Sequence, residues 1–128
     1  MALLLLVLTW RTENAAGQRS GAGSLVGVWV SQTPTPWGLS YTRTILMPDG
    51  TFTKTAKAGH MFTWDTGVYT LGPDFIHFII QDHEPKFYLG QPMRWVTSET
   101  VFFRFLGPDS ISCEDRITGT RWTAHRLR

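Results

Sequence analysis

The chain has 128 residues, of which 42% are apolar and 17% are charged, and its formal net charge is +2. This length and apolar content predict one globular domain with a sizeable core and exclude a second domain. The Lys and Arg residues are scattered along the chain, whereas a nucleic-acid surface needs a concentrated basic stripe, so we expect no nucleic-acid partner. The single cysteine, Cys113, excludes an intrachain disulfide.

Residues 1–24 comprise an apolar leader followed by a Gly/Ser-rich link. The apolar run 2–8 resembles the central region of a secretory signal, and small residues at 15–17 would suit cleavage, although no Lys or Arg precedes the run. The run is too short to cross a bilayer as a helix, so we expect no stable membrane span. The leader indicates a secreted or periplasmic protein; the alternative is a segment that packs on the domain or on a partner chain.

Residues 25–128 predict a meander of short antiparallel strands. The sequence Leu-Gly-Pro-Asp occurs at 71–74 and at 106–109, and Met-Pro-Asp-Gly occurs at 47–50. Proline sets φ for the first corner of a tight turn, Asp bonds the backbone ahead of it, and Gly tolerates positive φ, so these segments are chain reversals. The predicted strands cover 25–31, 40–47, 51–57, 61–71, 75–81, 100–106, 110–115 and 120–127, with a ninth at 93–97 if that segment pairs.

The segments between the strands include two longer predicted loops. The first, 32–39, contains two prolines, and the second, 82–92, mixes charged residues with proline and glycine and has room for a short strand at 86–89. No helical pattern longer than a turn or two occurs in residues 25–128.

Eight sequential strands leave two exposed edges unless the sheet closes on itself. We therefore predict an all-β fold: a single up-and-down antiparallel β-barrel of about eight strands, with an interior wide enough for side chains and one small ligand. In the strand 100–106, Val101, Phe103 and Phe105 share one face, and Phe102 and Leu106 lie on the other. Apolar groups on both faces indicate that part of the outer wall is covered, so a homo-oligomer is left open as a partner.

Gly27-Val28-Trp29 on the first strand and Arg126 near the end of the last strand resemble the lipocalin and calycin pattern. In that family the tryptophan packs across the closed end of the barrel against an arginine from the final strand. The resemblance implies a barrel-closing role for Gly27, Trp29 and Arg126, with Arg121 as the second candidate for the arginine.

A narrower resemblance covers about residues 25–128. Asp-Gly-Thr-Phe at 49–52, Gly-Val-Tyr at 67–69 and Trp122 with Arg126 are similar to short bacterial lipocalin-like proteins of unassigned function. The resemblance implies a lipocalin-like barrel and, as a family tendency, binding of a small apolar molecule.

The four histidines lack metal-ligand spacing and only one cysteine is present, so we predict no metal site and no cofactor. His77 alternates with Phe75, Ile79 and Gln81 within a predicted strand. On the inner face it would orient a ligand or act as a base; on the outer wall it would be structural.

Asp65 lies on the long predicted strand 61–71 and shares its alternation with Tyr69. If it points inward, it is a buried carboxylate that needs a partner such as Arg43 or Arg104. Beside His77, such an acid would serve proton transfer, so Asp65 and His77 are the catalytic candidates.

Aromatic side chains near the strand ends are the third feature of the sequence. At the open end of a barrel they would line a mouth suited to flat or apolar ligands. The candidate ligand-binding residues are Trp37, Tyr41, Phe62, Trp64, Tyr69, His77, Trp95 and Phe103.

These patterns favour binding of a small, largely apolar or aromatic molecule in the barrel interior. One alternative is a barrel enzyme of the isomerase or cyclase type, although no nucleophile elbow, phosphate loop or metal motif is present. The other is a protein-interaction module. A binder requires an interior cavity, an enzyme requires a buried acid and base that face each other, and an interaction module requires a filled barrel with an exposed aromatic patch.

Overall fold

The computed structural model of the protein describes residues 24–35 and 38–128. The predicted leader, residues 1–24, lies outside this part apart from Ser24, as does Trp37. The strands are β1 (Gly27–Thr35), β2 (Gly38–Leu46), β3 (Thr51–Ala58), β4 (Met61–Leu71), β5 (Phe75–Glu84), β6 (Phe87–Tyr88), β7 (Gln91–Pro92), β8 (Ser98–Gly107), β9 (Ser110–Asp115) and β10 (Thr120–Leu127). No helix in the described residues is long and apolar enough to cross a membrane.

Eight of these strands form a closed barrel in the order β1-β10-β9-β8-β5-β4-β3-β2. Every pair in the barrel is antiparallel, and β1 closes the sheet by pairing with β10 from Val28↔Leu127 to Ser31↔Ala124. The remaining strands, β6 and β7, pair only with each other, in the connection between β5 and β8. The prediction of an all-β, up-and-down, eight-stranded antiparallel barrel is therefore confirmed.

The three proline-containing turns lie together at one end of the barrel, which we call the closed end. In the first of them, Met47 donates its backbone N–H to the Thr51 carbonyl at 2.9 Å, and Asp49 Oδ1 accepts the N–H of Thr51 at 2.9 Å. The other turns connect β4 to β5 and β8 to β9. The opposite end, which we call the open end, carries the β3–β4 and β9–β10 hairpins and the β6–β7 hairpin.

Two strand boundaries differ from the prediction. The segment 32–39 was expected to be a loop, but β1 runs to Thr35 and β2 starts at Gly38, with Pro34 opposite Leu39. Because β10 pairs with β1 only as far as Ser31, Pro34 lies on a free edge where its missing N–H removes no ladder bond. The strand β5 also continues to Glu84, while the segment 93–97 forms no strand.

The core lies inside the barrel and includes at least one residue of every barrel strand. Phe52 and Phe78 meet edge to face with their ring centroids 4.8 Å apart, a favourable geometry for two aromatic rings. The buried apolar residues are Leu25, Trp29, Leu46, Phe52, Tyr69, Ile76, Phe78, Val101, Ile111, Cys113 and Ala124. Most of these residues also border a cavity inside the barrel.

Candidate functional site

A cavity of about 350 Å³ lies inside the barrel. Most of its wall is apolar and includes Trp29, Ile76, Phe78, Val101 and Trp122. The exposed Thr118 and Thr120 line its outer part, so the cavity opens to solvent at the open end. The interior is therefore a pocket with an apolar body and a solvent-facing mouth.

The floor of this cavity is Trp29, which is 4% exposed. Its indole Nε1 donates a hydrogen bond to the Leu25 carbonyl at 2.8 Å, and the guanidinium carbon of Arg126 lies 4.5 Å from the indole ring centroid. Arg126 also donates to the Val26 carbonyl at 3.0 Å and to the Pro108 carbonyl at 3.2 Å. The arginine thus connects the segment before β1 to the β8–β9 turn and covers the outer side of the tryptophan.

Gly27, at the start of β1, lies beside the Arg126 side chain that covers Trp29. Its φ is +138°, a backbone conformation that residues with a Cβ rarely adopt, and the aliphatic part of Arg126 passes directly beside it. The other arginine considered for the closing role, Arg121, lies at the opposite end of β10, where it is exposed and pairs with Glu114.

A charged cluster forms one side of the barrel interior. Lys54 Nζ lies 3.9 Å from Asp65 Oδ2 and 3.7 Å from Glu99 Oε2, and both Lys54 and Glu99 line the cavity. Asp65, only 3% exposed, also accepts a hydrogen bond from Trp95 Nε1 at 3.3 Å. Its other oxygen, Oδ1, is buried and has no hydrogen-bond partner among residues 24–35 and 38–128.

Burial raises the pKa of Asp65, and the ammonium of Lys54 and the indole of Trp95 oppose that shift. An unsatisfied buried carboxylate oxygen is costly, because the group has lost water without gaining a full set of donors. The arrangement therefore places a buried carboxylate, incompletely hydrogen-bonded, directly behind the cavity-lining Lys54.

Strand register brings this cluster together. Lys54 lies directly opposite Asp65 across β3 and β4, and Asp65 lies opposite His83 across β4 and β5. A β-bulge between Thr66 and Gly67 shifts the β4–β5 register, so that β5 presents Phe78 to the interior before the bulge and His83 after it. The irregularity places an imidazole beside the buried carboxylate.

Gly67 permits that bulge. A Cβ at this position would lie 1.9 Å from the backbone carbonyl oxygen of Ile79, so only glycine allows the two strands to approach this closely. Beyond the bulge, the His83 ring stacks on Trp95 with their centroids 4.6 Å apart and their planes 5° apart. His83 Nδ1 is buried and lacks a hydrogen-bond partner in the described part of the chain.

The catalytic candidates from the sequence are not brought together. Asp65 points inward, but its ion-pair partner is Lys54, whereas Arg43 and Arg104 are exposed. His77 lies on the outer wall, where its Nδ1 is 2.8 Å from Thr100 Oγ1. The sequence showed the alternation of β5 but not which of its faces turns inward. The histidine that lies opposite Asp65 in the strand pairing is His83.

The candidate ligand-binding residues are spread over several surfaces. Tyr41 and Phe62, 54% and 58% exposed, lie in a groove on the outside of the barrel. Trp64 alternates with the buried Asp65 and therefore also faces outward. These rings lie on the outer wall and not at the mouth of the interior cavity, because the alternation within β2 and β4 turns them away from the interior.

The other candidates lie closer to the interior. Tyr69 is buried and donates its hydroxyl to the Met47 carbonyl at the closed end, and Phe103 packs against the core. Trp95 lies behind the cavity wall against Asp65. None of the candidates in the described residues forms the cavity wall itself.

The residues that do line the cavity include Thr42, Thr44, Lys54, Glu99 and Trp122. Sequence reasoning did not assign the threonines, Lys54 or Glu99 to the site, because threonines and charges on a strand are typical of a solvated face. Strand pairing aligns them with Trp29, since Thr44 lies opposite Trp29 and Lys54 lies opposite Thr44, and no local sequence pattern signalled that register.

Cys113 also lines the cavity and is 4% exposed. Burial raises the pKa of its thiol to about 12, so the thiol is protonated at neutral pH and is a poor nucleophile. Within the described residues, no three His, Cys, Asp or Glu side chains are grouped so that they could hold a metal ion.

No family model matches the chain, and no curated protein matches it.

Proposed function

We propose that the barrel binds one small, largely apolar or aromatic molecule in its interior. The observation that supports this proposal is the cavity of about 350 Å³ between the Trp29 floor and the open end. Ligand pockets in proteins range from about 300 to 1,000 Å³ and combine an apolar wall with a few polar groups, so this cavity has the size and character of a small one.

We also propose that the protein is lipocalin-like in the narrower sense. The contact of Arg126 with the Trp29 ring and the hydrogen bonds of Arg126 to carbonyls near the start of β1 support this assignment. A closed antiparallel barrel is shared by several folds, so the Trp–Arg pair is the more specific feature.

Acid–base catalysis of the isomerase or cyclase type is the second candidate function. It is favoured by Asp65, whose raised pKa and unpartnered oxygen are typical of a proton-transfer group. In this version of the hypothesis His83 replaces His77 as the neighbouring base, because His83 shares the strand ladder with Asp65. The exposed rings of Tyr41 and Phe62 favour the interaction-module alternative less strongly, since the interior of the barrel is not filled.

The binding proposal is tested by filling the cavity. N-phenyl-1-naphthylamine, an uncharged apolar dye whose fluorescence rises out of water, is titrated into the wild type, Thr44→Phe and Thr53→Phe. Thr44 lines the cavity, whereas Thr53 is exposed on the outer face of the adjacent strand, so the same chemical change is made inside and outside.

We expect Thr44→Phe to weaken dye binding at least about tenfold and Thr53→Phe to leave it within about twofold, because only the first ring occupies ligand volume. Far-UV circular dichroism verifies that both variants fold. Equal dye affinity for wild type and Thr44→Phe, or no dye binding by folded wild type, would overturn the proposal. Native mass spectrometry of the purified protein adds an independent test, since a bound molecule at one-to-one stoichiometry identifies the ligand class directly.

A further inference from the structure

We propose that the cavity prefers apolar ligands that carry a protonated amine over those that carry a carboxylate, an inference that rests on the binding function proposed above. The preference would arise at the charged cluster of Lys54, Asp65 and Glu99. The ligand class is therefore an amphiphile with an apolar or aromatic body and a cationic, hydrogen-bond-donating head.

The first argument is the balance of charge. Lys54 is the only Lys or Arg side chain of the described residues that lines the cavity, whereas both Glu99 and Asp115 line it and Asp65 lies directly behind Lys54. The single ammonium is shared between two carboxylates at 3.9 and 3.7 Å. An anionic head would compete with carboxylates already present for one cation, while a cationic head would enter a region with surplus negative charge.

The second argument is the hydrogen-bonding capacity of the cluster. Both contacts of Lys54 are longer than a hydrogen bond, and Asp65 Oδ1 accepts no hydrogen bond from any described residue. Glu99 likewise has only its long contact with Lys54 within the described ranges. Carboxylates only accept hydrogen bonds, and an alkylammonium only donates them, in three directions. An ammonium head can therefore donate to Glu99, which lines the cavity, while Asp65, buried behind Lys54, adds negative charge to that side of the interior.

The nearby arginines do not reverse this balance. Arg116 and Arg121 lie on the outside of the β9–β10 hairpin, where both pair with Glu114, and Arg116 also stacks over Phe102 at 3.6 Å. Arg126 lies beyond the Trp29 floor at the closed end. None of these guanidinium groups is part of the cavity wall.

The apolar part of the wall completes the selectivity. Val101 and Trp122, on β8 and β10, line the cavity together with Trp29. The charged cluster belongs to β3, β4 and the start of β8, and its members Lys54 and Glu99 line the cavity, so one molecule can contact an aromatic wall and the Glu99 carboxylate at once.

The test uses three probes with similar phenyl bodies and different heads: 2-phenylethylamine is cationic, 2-phenylethanol is neutral and 3-phenylpropionate is anionic. Binding to the full chain is measured at pH 7 by isothermal titration calorimetry. We expect 2-phenylethanol to bind measurably and 2-phenylethylamine to bind about tenfold or more tightly than 3-phenylpropionate, the ratio expected of one hydrogen bond to a charged group.

Glu99→Gln and Glu114→Gln form the matched pair of variants. Glu99 lies in the cavity, and Glu114 lies on the outside in contact with Arg116 and Arg121. We expect Glu99→Gln to reduce the amine-to-carboxylate affinity ratio about fivefold or more and Glu114→Gln to leave it unchanged, because charge outside the barrel is screened by water and salt.

The outcomes separate the two proposals. If 2-phenylethanol binds but the amine is no tighter than the carboxylate, the charge preference is wrong and the binding function stands. If the wild type prefers the amine and Glu99→Gln preserves that ratio, the assignment of the preference to this cluster is wrong. If none of the three probes binds and the apolar dye does not bind either, the binding function itself is refuted.

Discussion

Replacement of Trp29 by alanine tests the closed end of the barrel most directly. The indole is 4% exposed, donates a hydrogen bond to the Leu25 carbonyl at 2.8 Å and lies under the Arg126 guanidinium. Truncation of a buried tryptophan to alanine costs about 3–5 kcal/mol in lost transfer free energy and in the cavity it leaves. One face of Trp29 already borders the interior cavity, so fewer packing contacts are lost there than in a filled core.

The loss of the indole's polar contacts adds to the cost and offsets the smaller loss of packing. The Leu25 carbonyl loses its donor, which costs about 1 kcal/mol, and Arg126 loses a cation–π contact worth about 1 kcal/mol at a partly exposed site. We therefore expect the free energy of unfolding to fall by about 4 kcal/mol, within the range for such truncations. For a domain of this size the melting temperature should fall by about 15–30 °C.

Thermal and urea unfolding, followed by circular dichroism, measure the effect. Trp64→Ala is the matched control, because Trp64 lies on the outward side of β4 and is only partly buried; we expect it to cost less than about 1.5 kcal/mol. A Trp29→Ala melting temperature within about 5 °C of wild type would refute the reasoning that this ring seals the barrel.

Two further substitutions test the bulge and the buried acid. Gly67→Ala places a Cβ 1.9 Å from the Ile79 carbonyl oxygen, so we expect the free energy of unfolding in urea to fall by about 3 kcal/mol. The control is Gly107→Ala, which should cost under about 1 kcal/mol because no atom lies within 4 Å of the added Cβ. Equal costs for the two variants would contradict the close approach at Gly67. Burial raises the pKa of Asp65 above 3.8, so its contribution to stability is present below about pH 4 and is lost as the pH rises through the raised value. Asp65→Asn should therefore have a larger free energy of unfolding than wild type at about pH 7, and this difference should shrink towards about pH 3. A variant less stable than wild type at pH 7 would contradict this prediction and show that Lys54 compensates the buried charge fully.

The strand pattern of this chain was predictable because its signals are local. The turn sequences at 47–50, 71–74 and 106–109 each reverse the chain through residues within four positions of one another. Closure then followed from the need to pair both edges of an eight-stranded sheet. The error at 32–39 came from treating proline as excluded from a strand, although Pro34 lies on a free edge.

The candidate site was less predictable because it depends on which face of each strand turns inward. Apolar residues occur on both faces of β8, so alternation alone did not separate Phe102 from Phe103. The same ambiguity placed His77 among the interior candidates, although its side chain contacts Thr100 on the outer wall. A period of two distinguishes the two faces of a strand but does not identify the inner one.

The sequence by itself determined the eight strands of the barrel and their order, the turns at the closed end and the reason for closing the sheet, since strands and turns depend on backbone conformation within a few residues. Only the tertiary structure decided that Lys54, Asp65 and Glu99 meet, because they belong to three strands whose relative register no local pattern specifies. The bulge at Gly67 is the clearest case: one unpaired residue in β5 reverses the alternation and brings His83 opposite Asp65. A one-residue shift exchanges the two faces of a strand, so the chemistry of the interior is a property of the assembled barrel.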